Sequence, residues 1–309
     1  MDLYDKKEIH PMLIKELQEP FDSQDYIYEL KLDGMRCIAY LDDNEVELRN
    51  MRNMSLNYKF PELMDINKQV KNRCILDGEL IVMKNGVPDF TEVQRRSTLT
   101  KKFKIQTSAD KYPATLVVYD ILYYIDKDIK DRPLIIRKGI LESCLEENSR
   151  ISISRFIQNY GIELFKVTVE KELEGVVAKK KESLYWEEKR TKDWVKFKRL
   201  VDDDYIICGI VQKKPMSVLL LGQYKGDQLI YRASVSLGVR QDILRDNDLK
   251  EIPYSPFGFS MKKVKSGITW FEPTTVCTVK YMPTLKGSLR QAVFKGVRED
   301  ILPKDCKIK

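Results

Sequence analysis

Short β-rich segments interrupted by Asp-Gly pairs constrain the fold of this chain more than any other feature. Residues 27–41 alternate in polarity, are rich in β-formers and contain one Asp-Gly pair, so they predict a strand, a turn and a second strand. Residues 74–83 repeat this arrangement. The continuous apolar and aromatic run over residues 114–124 predicts a strand buried on both faces. The first part of the chain is therefore expected to be built around sheets.

One segment after these strands has the period of a helix. Apolar residues recur at helical spacing within residues 135–145, and further short strands are predicted at 175–178 and 194–197. This mixture of strands and helices predicts an α+β fold. The apolar positions of the predicted helix are Ile136, Ile140, Leu141, Cys144 and Leu145.

A change in composition near residue 200 predicts a domain boundary. Residues 199–204 are polar and acidic, and a new series of short strands with Gly and Pro punctuation follows them. We therefore expect one domain over residues 1–200 and a second, a small β-barrel, over residues 201–309. The acidic triplet 202–204 is the expected hinge between them.

The charge of the chain is unevenly distributed. There are 54 Lys and Arg against 47 Asp and Glu, and residues 251–309 carry +6 of the net +7. A second basic concentration lies within residues 179–192. Such segments are typical of surfaces that bind phosphates, although a solvated surface is the commoner explanation.

Because His10 is the only histidine, mechanisms that need a Ser-His pair or several His ligands are nearly excluded.

Neither the cysteines nor the hydropathy pattern indicates a zinc site, a disulfide framework or a membrane segment. The six cysteines form no Cys-x-x-Cys pair, and the longest aliphatic stretch, residues 218–221, is too short to cross a bilayer. The first residues lack an apolar run of signal-peptide length. These features predict a soluble cytoplasmic protein with reduced cysteines. The cysteines are Cys37, Cys74, Cys144, Cys208, Cys277 and Cys306.

Glu29, Lys31 and Arg36 form the most informative charged group. Residues i and i+2 of a strand share a face, so Glu29 and Lys31 are expected to project together, and the following turn is expected to return Arg36 toward them. A lysine becomes nucleophilic when desolvation or nearby cations favour its neutral form. By itself, the same pattern fits a hairpin with ordinary surface charges equally well.

A second pair of cations lies near residue 200. Period-2 alternation puts Lys196 and Lys198 on one strand face and Val195 and Phe197 on the other. Two parallel ammonium groups suit a phosphate group, and their field would favour a neutral, nucleophilic Lys31. Without further motifs, an edge strand with outward lysines would be the preferred interpretation.

A series of motifs in a fixed order resembles one family. The segment Lys31–Arg36 resembles the KxDGxR signature of covalent nucleotidyltransferases, specifically of ATP-dependent DNA ligases. The C-terminal segment resembles the ligases of bacterial double-strand-break repair. In two places the chain departs from the pattern, since Leu48 and Met51 replace the usual Ser and Gly, and Ile301 replaces a lysine. The other matching segments are 48–50, 76–79, 118–120, 174–179, 194–198 and 289–300.

The resemblance implies a fold and a reaction. The expected fold is a nucleotidyltransferase domain with ATP-grasp-like antiparallel sheets and helices, followed by a C-terminal OB-fold barrel. Lys31 would attack the α-phosphate of ATP, and the lysyl-AMP would pass its AMP to the 5′-phosphate of a nick, from which the 3′-hydroxyl displaces it. The implied cofactors are ATP and Mg²⁺, or Mn²⁺ in its place. The implied setting is DNA repair in a nucleoid-associated monomer that acts on nicked duplex DNA, with a bacterial Ku protein as a further partner.

The resemblance also assigns roles to individual residues. Glu29 would read the adenine amino group, Tyr119 would stack on the base, and Glu79 and Glu174 would organise the metal ion. The residues implied to bind ATP or AMP are Glu29, Lys31, Arg36, Arg49, Glu79, Tyr119, Lys196 and Lys198. Arg298 and Asp300 would orient the pyrophosphate, and Arg52, Arg190 and Arg290 would contact DNA.

Other functions share parts of this pattern. An mRNA-capping guanylyltransferase or an RNA ligase uses the same covalent lysine, but residues 293–300 favour the DNA ligase. An NAD-dependent ligase is disfavoured by the length of the chain and by the missing four-cysteine pattern. A non-catalytic nucleic-acid-binding protein with this fold is disfavoured because Lys31 and its predicted acidic and basic partners are all intact.

Overall fold

The chain divides into two structural units, Met1–Lys198 and Arg199–Lys309. Within the residues that the structure describes, no helix is long and apolar enough to cross a membrane. The computed structural model describes residues 2–17, 19–212, 217–237, 249–257, 267–283 and 289–308.

The first unit contains strands of two sheets with short helices between them. Its strands are β1 (Leu13–Glu16), β2 (Tyr26–Leu30), β3 (Met35–Leu41), β4 (Val46–Asn50), β5 (Cys74–Lys84), β6 (Val87–Pro88), β7 (Ala114–Tyr124), β8 (Lys127–Asp128), β9 (Ile151–Ile153), β10 (Phe156–Gln158), β11 (Gly175–Lys180) and β12 (Arg190–Lys198). Its α-helices are α1 (Leu3–Lys6), α2 (Phe90–Ser97), α3 (Lys102–Lys111), α4 (Leu134–Cys144) and α5 (Gly161–Glu170), and 3₁₀ turns span Asn57–Lys59, Pro61–Leu63 and Ile66–Gln69.

The twelve strands form a five-stranded and a seven-stranded sheet. The first has the order β1-β12-β11-β2-β10. The second has the order β4-β3-β5-β7-β8, with β6 on β5 and β9 on β7. All pairings are antiparallel except β1 with β12 and β7 with β9. Because β2 and β3 lie in different sheets, the strand-turn-strand predicted over residues 27–41 is not a hairpin but the crossing from one sheet to the other.

The turn predicted within residues 74–83 is wrong. Here β5 runs without a break, and its pairing with β7 shifts register between Asp77 and Gly78. A Cβ on Gly78 would lie 2.7 Å from the carbonyl oxygen of Val117. The glycine therefore permits a bulge and a close approach of β7, which is the other common use of glycine inside a strand.

The predictions for β7 and α4 are confirmed as elements, but the buried face of α4 differs from the predicted one. Ile136 is exposed, whereas Arg137 and Lys138 are buried beside the apolar Leu134 and Leu141. These two cations lie on the buried face because each has a buried carboxylate partner, as described below.

Apolar layers cover both sheets. One core cluster lies between the sheets and contains Ile27, Ile38 and Trp194. Another fills the outer side of the seven-stranded sheet, and a third packs the outer side of the five-stranded sheet against α5. The space between the sheets is therefore partly filled by core and partly left for a site.

The second unit is an antiparallel sheet organised by one long strand. Its described strands are β13 (Val201–Val211), β14 (Val218–Lys225), β15 (Gln228–Ser236), β16 (Glu251–Ile252), β17 (Ile268–Phe271), β18 (Val276–Pro283) and β19 (Leu289–Arg298). Along one edge, β13 pairs with β14, and along the other it pairs first with β18 and then with β17. Such a strand, shared between two parts of a sheet, is what a small barrel requires.

The acidic triplet predicted to be a hinge is part of this sheet. Residues 202–204 belong to β13 and pair with residues 278–280 of β18. The Asp204 carboxylate also accepts a hydrogen bond from the Thr278 hydroxyl at 2.5 Å. The expectation of a linker at these residues is therefore wrong, because their backbone is held in a ladder. The residues between β12 and β13 are Arg199 and Leu200.

Candidate active site

A cavity of about 560 Å³ lies between the two sheets of the first unit. This volume is within the range of roughly 300–1,000 Å³ that is typical of small-molecule sites. Strands of both sheets line it, and α2 adds a side wall. The sequence-predicted site residues that line it are Glu29, Lys31, Arg36, Arg52, Glu79, Tyr119, Arg190 and Lys196.

Lys31 follows β2 at the edge of this cavity. Its backbone N–H donates to the carbonyl of Gly175 at 2.9 Å, and its Nζ lies 2.9 Å from Oε1 of Glu174. Gly175 has a φ of +148°, and a Cβ there would lie 2.1 Å from the carbonyl oxygen of Phe197. Only glycine fits this position, and it brings Glu174 to the lysine.

Glu29 is held in a buried network on the cavity wall. Its Oε1 forms an ion pair with Lys138, and its Oε2 accepts from Lys179 Nζ at 2.9 Å and from Ser154 Oγ at 3.1 Å. Burial would raise the pKa of Glu29, but Lys138 and Lys179 outweigh it and hold the pKa of the carboxyl below its ordinary value. The carboxylate is therefore ionised and fixed in place.

Lys179 connects this network to the aromatic wall. Its Nζ lies 4.1 Å from the ring centroid of Tyr119 and 4.3 Å from that of Trp194. Burial lowers the pKa of Lys179 to about 8, although Glu29 opposes that shift. The basic concentration predicted within residues 179–192 therefore begins with a buried structural cation and not with a surface charge.

Arg36 forms a bidentate ion pair with a buried carboxylate. Its guanidinium donates to both oxygens of Asp77, at 3.0 and 2.6 Å, and to the carbonyl of Met12 at 2.5 Å. Tyr185 donates its hydroxyl hydrogen to Asp77 at 2.6 Å. Asp77 is fully buried, so this fork holds the Arg36 guanidinium in place at the cavity wall.

Glu79 is a carboxyl that burial keeps protonated. Burial raises its pKa to about 8; Lys31 and Arg36 oppose this shift, and Glu174 adds to it. A neutral carboxyl beside the charged Glu174 avoids placing two carboxylates together in a buried position.

We expect the stability of the protein to depend on pH through Glu79. The unfolded side chain ionises near pH 4.5 and the folded one near 8, so the unfolded state loses its proton first as the pH rises. Relative to Glu79→Gln, the wild type should then lose up to about 1.4 kcal/mol of unfolding free energy per pH unit between pH 5 and 8. Urea denaturation of both proteins at several pH values measures this, and a difference that does not change with pH would contradict it.

Lys196 and Lys198 project from the same face of β12, as predicted, with Val195 and Phe197 in the core on the other face. Both approach Glu16 of the neighbouring β1, at 3.8 and 2.8 Å respectively. Burial, Lys198 and Lys31 together lower the pKa of Lys196.

Three predicted residues of the first unit lie outside the cavity lining. Within the described part of the chain, neither Arg49, Glu174 nor Lys198 lines it. Arg49 contacts Glu47 at 3.1 Å and donates to the carbonyl of Asn53 at 3.0 Å, because its position on β4 directs it along the sheet.

The remaining predicted residues belong to the second unit. Arg290 lies on β19, and Arg298 donates to both oxygens of Asp300, at 2.7 and 2.6 Å. Ile301, which stands where the family has a lysine, packs against an apolar cluster. Of the basic residues that give the C-terminal segment its charge, Lys262, Lys263, Lys265, Lys286 and Lys309 lie outside the described residues.

Comparison with known proteins identifies the family. The family described as "ATP dependent DNA ligase domain" matches residues 11–198, and "ATP dependent DNA ligase C terminal region" matches residues 212–301. The chain belongs to the ATP-dependent DNA ligases. The predicted class of enzyme, its use of ATP and its action on DNA are thereby confirmed, and the capping-enzyme and RNA-ligase alternatives are not favoured.

Several relatives resemble this ligase over most of its length. The SPbeta prophage-derived DNA ligase-like protein LigB of Bacillus subtilis is 33% identical over 298 residues, which cover 94% of this chain and 99% of the relative. The multifunctional non-homologous end joining protein LigD of Pseudomonas aeruginosa is 28% identical over 94% of this chain but only 36% of its own length. The chain thus spans nearly all of one relative and about a third of the other.

Solved structures share the fold of this ligase. A mycobacterial DNA ligase D complexed with ATP and MES has a TM-score of 0.56 at 23% identity and covers 98% of this chain and 99% of that chain. A Lig E DNA ligase has a TM-score of 0.63 at 16% identity, with coverages of 94% and 99%. Together with the family matches, they confirm a nucleotidyltransferase domain followed by an OB-fold domain. The boundary at residue 200 stays a prediction.

Sequence reasoning missed several residues of the ligase site. Asp77, Ser154 and Lys138 all support predicted residues, yet none was a candidate. Lys138 carried a usable signal, because it lies four residues after Leu134 and three before Leu141, on the apolar face of a helix. A lysine at such a position needs a buried anionic partner.

Proposed function

We propose that this ligase seals nicks between a 5′-phosphate and a 3′-hydroxyl in duplex DNA through a covalent AMP on Lys31. The Lys31 nitrogen forms a bond to the α-phosphorus of ATP, the bond to pyrophosphate breaks, and the nitrogen loses its proton. The 5′-phosphate of the nick then takes the AMP and frees the lysine. Finally, the 3′-hydroxyl attacks that 5′-phosphate, loses its proton and releases AMP.

The observation that carries this proposal is the environment of Lys31. The side chain stands at a nucleotide-sized cavity, and the Glu174 carboxylate is 2.9 Å from its Nζ. An ammonium group has to lose a proton before it attacks phosphorus, and Glu174 is within hydrogen-bond distance to accept that proton. The nucleophile that lines the cavity therefore has a proton acceptor beside it.

The walls of the cavity suit the two ends of a nucleotide. Glu29 would accept a hydrogen bond from the adenine amino group, and Tyr119, which also lines the cavity, would stack on the base. Lys196 would neutralise charge that develops on the α-phosphate. Arg36 and Arg49 each form an ion pair with a carboxylate, so their implied contacts with ATP or AMP would be indirect.

A divalent metal suits the carboxyl groups beside Lys31. Among the described residues, no group of three or more His, Cys, Asp or Glu side chains is arranged to hold a metal ion. Mg²⁺ commonly needs only one or two protein carboxylates together with phosphates. Glu79 fits this role, since its buried carboxyl would ionise readily beside a dication, and Glu174 would be the second group. When bound, Mg²⁺, or Mn²⁺ in its place, would polarise the phosphoryl oxygens.

The leaving pyrophosphate would be oriented by the second unit. Arg298 is pre-aligned by Asp300, whose pKa Arg298 lowers to about 2. The missing lysine at position 301 leaves Arg298 as the proposed cationic contact. Lys304, in the 3₁₀ turn Pro303–Asp305, is a second cation of this segment.

Covalent labelling tests the proposed reaction. The protein is incubated with Mg²⁺ and ATP or GTP that carries a radioactive α-phosphate, and is then denatured in detergent. We expect a label that survives denaturation from ATP and none from GTP. Labelling from GTP instead would indicate a capping-type guanylyltransferase, and no label from either nucleotide would overturn the proposal.

The biological setting is proposed from the relatives. The names of two LigD relatives refer to non-homologous end joining, and this favours a role in break repair and a bacterial Ku protein as partner. A monomer located with the nucleoid would suit such a role. Joining of nicks and of double-strand ends, each with and without Ku, tests this, and end joining that Ku leaves unchanged would count against it.

We expect Arg52 and Arg190 to contribute to DNA binding through phosphates. Both are exposed at the rim of the cavity, where a nick phosphate would have to enter. Replacing either by Ala should reduce the slope of log Kd against log salt concentration by about 1 for nicked duplex DNA. Lys68→Ala, on an exposed 3₁₀ turn away from the cavity lining, is the matched control. Equal slopes for all four proteins would show that these arginines do not bind phosphates.

A further inference from the structure

Lys138 is a buried cation of the first unit to which the proposed reaction gives no role. It lies on α4, its side chain is 1% exposed, and it forms an ion pair with Oε1 of Glu29. Among the described residues it does not line the cavity, whereas Glu29 does. Glu29 is therefore the cavity-lining residue with which Lys138 forms its ion pair.

The two oxygens of Glu29 are held in different ways. A carboxylate offers about four acceptor sites, two on each oxygen. Lys179 and Ser154 donate to Oε2, whereas Oε1 pairs with Lys138 by charge and accepts no hydrogen bond from the described residues. Glu29 therefore keeps acceptor capacity beside the cation that fixes its orientation. Because Glu29 lines the cavity, a nucleotide bound there would meet a carboxylate that Lys138 helps to hold.

We infer that Lys138 is a positioning residue that holds the Glu29 carboxylate for the adenine amino group and so sets the preference for adenine. This inference rests on the adenine contact of Glu29 in the proposed function. Adenine presents an amino donor at its 6-position, whereas guanine presents a carbonyl acceptor there. An ionised carboxylate accepts from the first and repels the second.

Replacing Lys179 would not separate the position of the Glu29 carboxylate from the stacking of the base. Lys179 lies 4.1 Å from the Tyr119 ring and lines the cavity, so its replacement would disturb the stacking surface directly. Lys138 lies behind Glu29, and its Nζ is 5.5 Å from the ring centroid of Phe156. A change at Lys138 therefore reports on the carboxylate.

The test compares two nucleotides that differ only at the 6-position. ATP carries the amino group, and purine riboside triphosphate carries hydrogen in its place. For the wild type, we expect kcat/KM for self-adenylylation to favour ATP by about tenfold or more, as expected for a hydrogen bond to a charged group. Lys138→Met should remove most of this ratio by lowering kcat/KM for ATP while leaving that of the analogue nearly unchanged, and Lys138→Arg should restore part of it.

Arg137→Met is the matched control. Arg137 neighbours Lys138 on α4 and is also fully buried, but its fork binds Asp120 at 2.8 Å and not Glu29. Arg137→Met also leaves a buried carboxylate without its cation. A general loss of stability should therefore appear in both Arg137→Met and Lys138→Met. Only Lys138→Met should change the ratio between the nucleotides.

Each outcome has a distinct meaning. If the wild type takes no label from ATP, the proposed function itself fails. If it labels equally well with both nucleotides, the adenine contact of Glu29 and the inference built on it are overturned, while the ligase reaction stands. A normal ratio in Lys138→Met overturns the role of Lys138 alone. If Lys138→Met does not fold, Lys138→Gln keeps a polar side chain at this position but removes the positive charge, and an unchanged ratio in that variant overturns the inference.

Discussion

Replacing Lys31 by Ala should lower self-adenylylation by roughly 10⁴-fold or more, because the bond between nitrogen and phosphorus can no longer form. Labelling with radioactive ATP measures this. The last step does not use the lysine as a nucleophile, so the same variant should still seal a nick whose 5′ end already carries AMP.

Lys31→Arg is the control for charge. A guanidinium group keeps a cation near Glu174 but is not a nucleophile, since it is effectively always protonated. Both variants should therefore be inactive with ATP. If Lys31→Arg kept substantial labelling, charge at this position and not covalent chemistry would be what the site requires.

The second large effect concerns stability. Asp77 is fully buried and holds Arg36 in a fork, and it also accepts the hydrogen bond from Tyr185. Asp77→Ala would leave the Arg36 guanidinium buried without its counter-ion. We expect a loss of about 3–5 kcal/mol in the free energy of unfolding, measured by urea denaturation.

An exposed ion pair provides the comparison. Glu163 and Lys166 form a pair on the surface of α5 at 3.4 Å, and both side chains are largely exposed. Glu163→Ala should cost no more than about 1 kcal/mol, because exposed pairs contribute little. Similar losses in the two variants would contradict the structural role given to the buried fork.

The sequence predicted most of the strands because their patterns are local. The run that forms β7 is apolar throughout, and the lysines of β12 alternate with core residues, so both were predictable by inspection. The pairing of strands is not local. Nothing within residues 27–41 indicates that β2 and β3 join different sheets, and the Asp-Gly pair of β5 becomes a bulge only because β7 lies against it.

The sequence predicted the site residues that belong to a motif. It did not predict the contacts of residues whose role depends on a partner elsewhere in the chain. Glu29, Lys31 and Tyr119 line one cavity as expected. Arg49 turns to Glu47 instead, and the importance of Lys138 depends on a carboxylate more than a hundred residues earlier in the chain. The pairing of buried charges is a property of the whole fold, so the sequence does not reveal which carboxylate a buried lysine meets.

The most direct test is to locate the AMP on the chain. After incubation with ATP and Mg²⁺, the protein is digested under conditions that preserve the nitrogen–phosphorus bond, and mass spectrometry identifies the modified residue. We predict AMP on Lys31 and its loss when nicked DNA with a 5′-phosphate is added. AMP on another lysine, such as Lys179 or Lys196, or AMP that nicked DNA does not remove, would contradict the account.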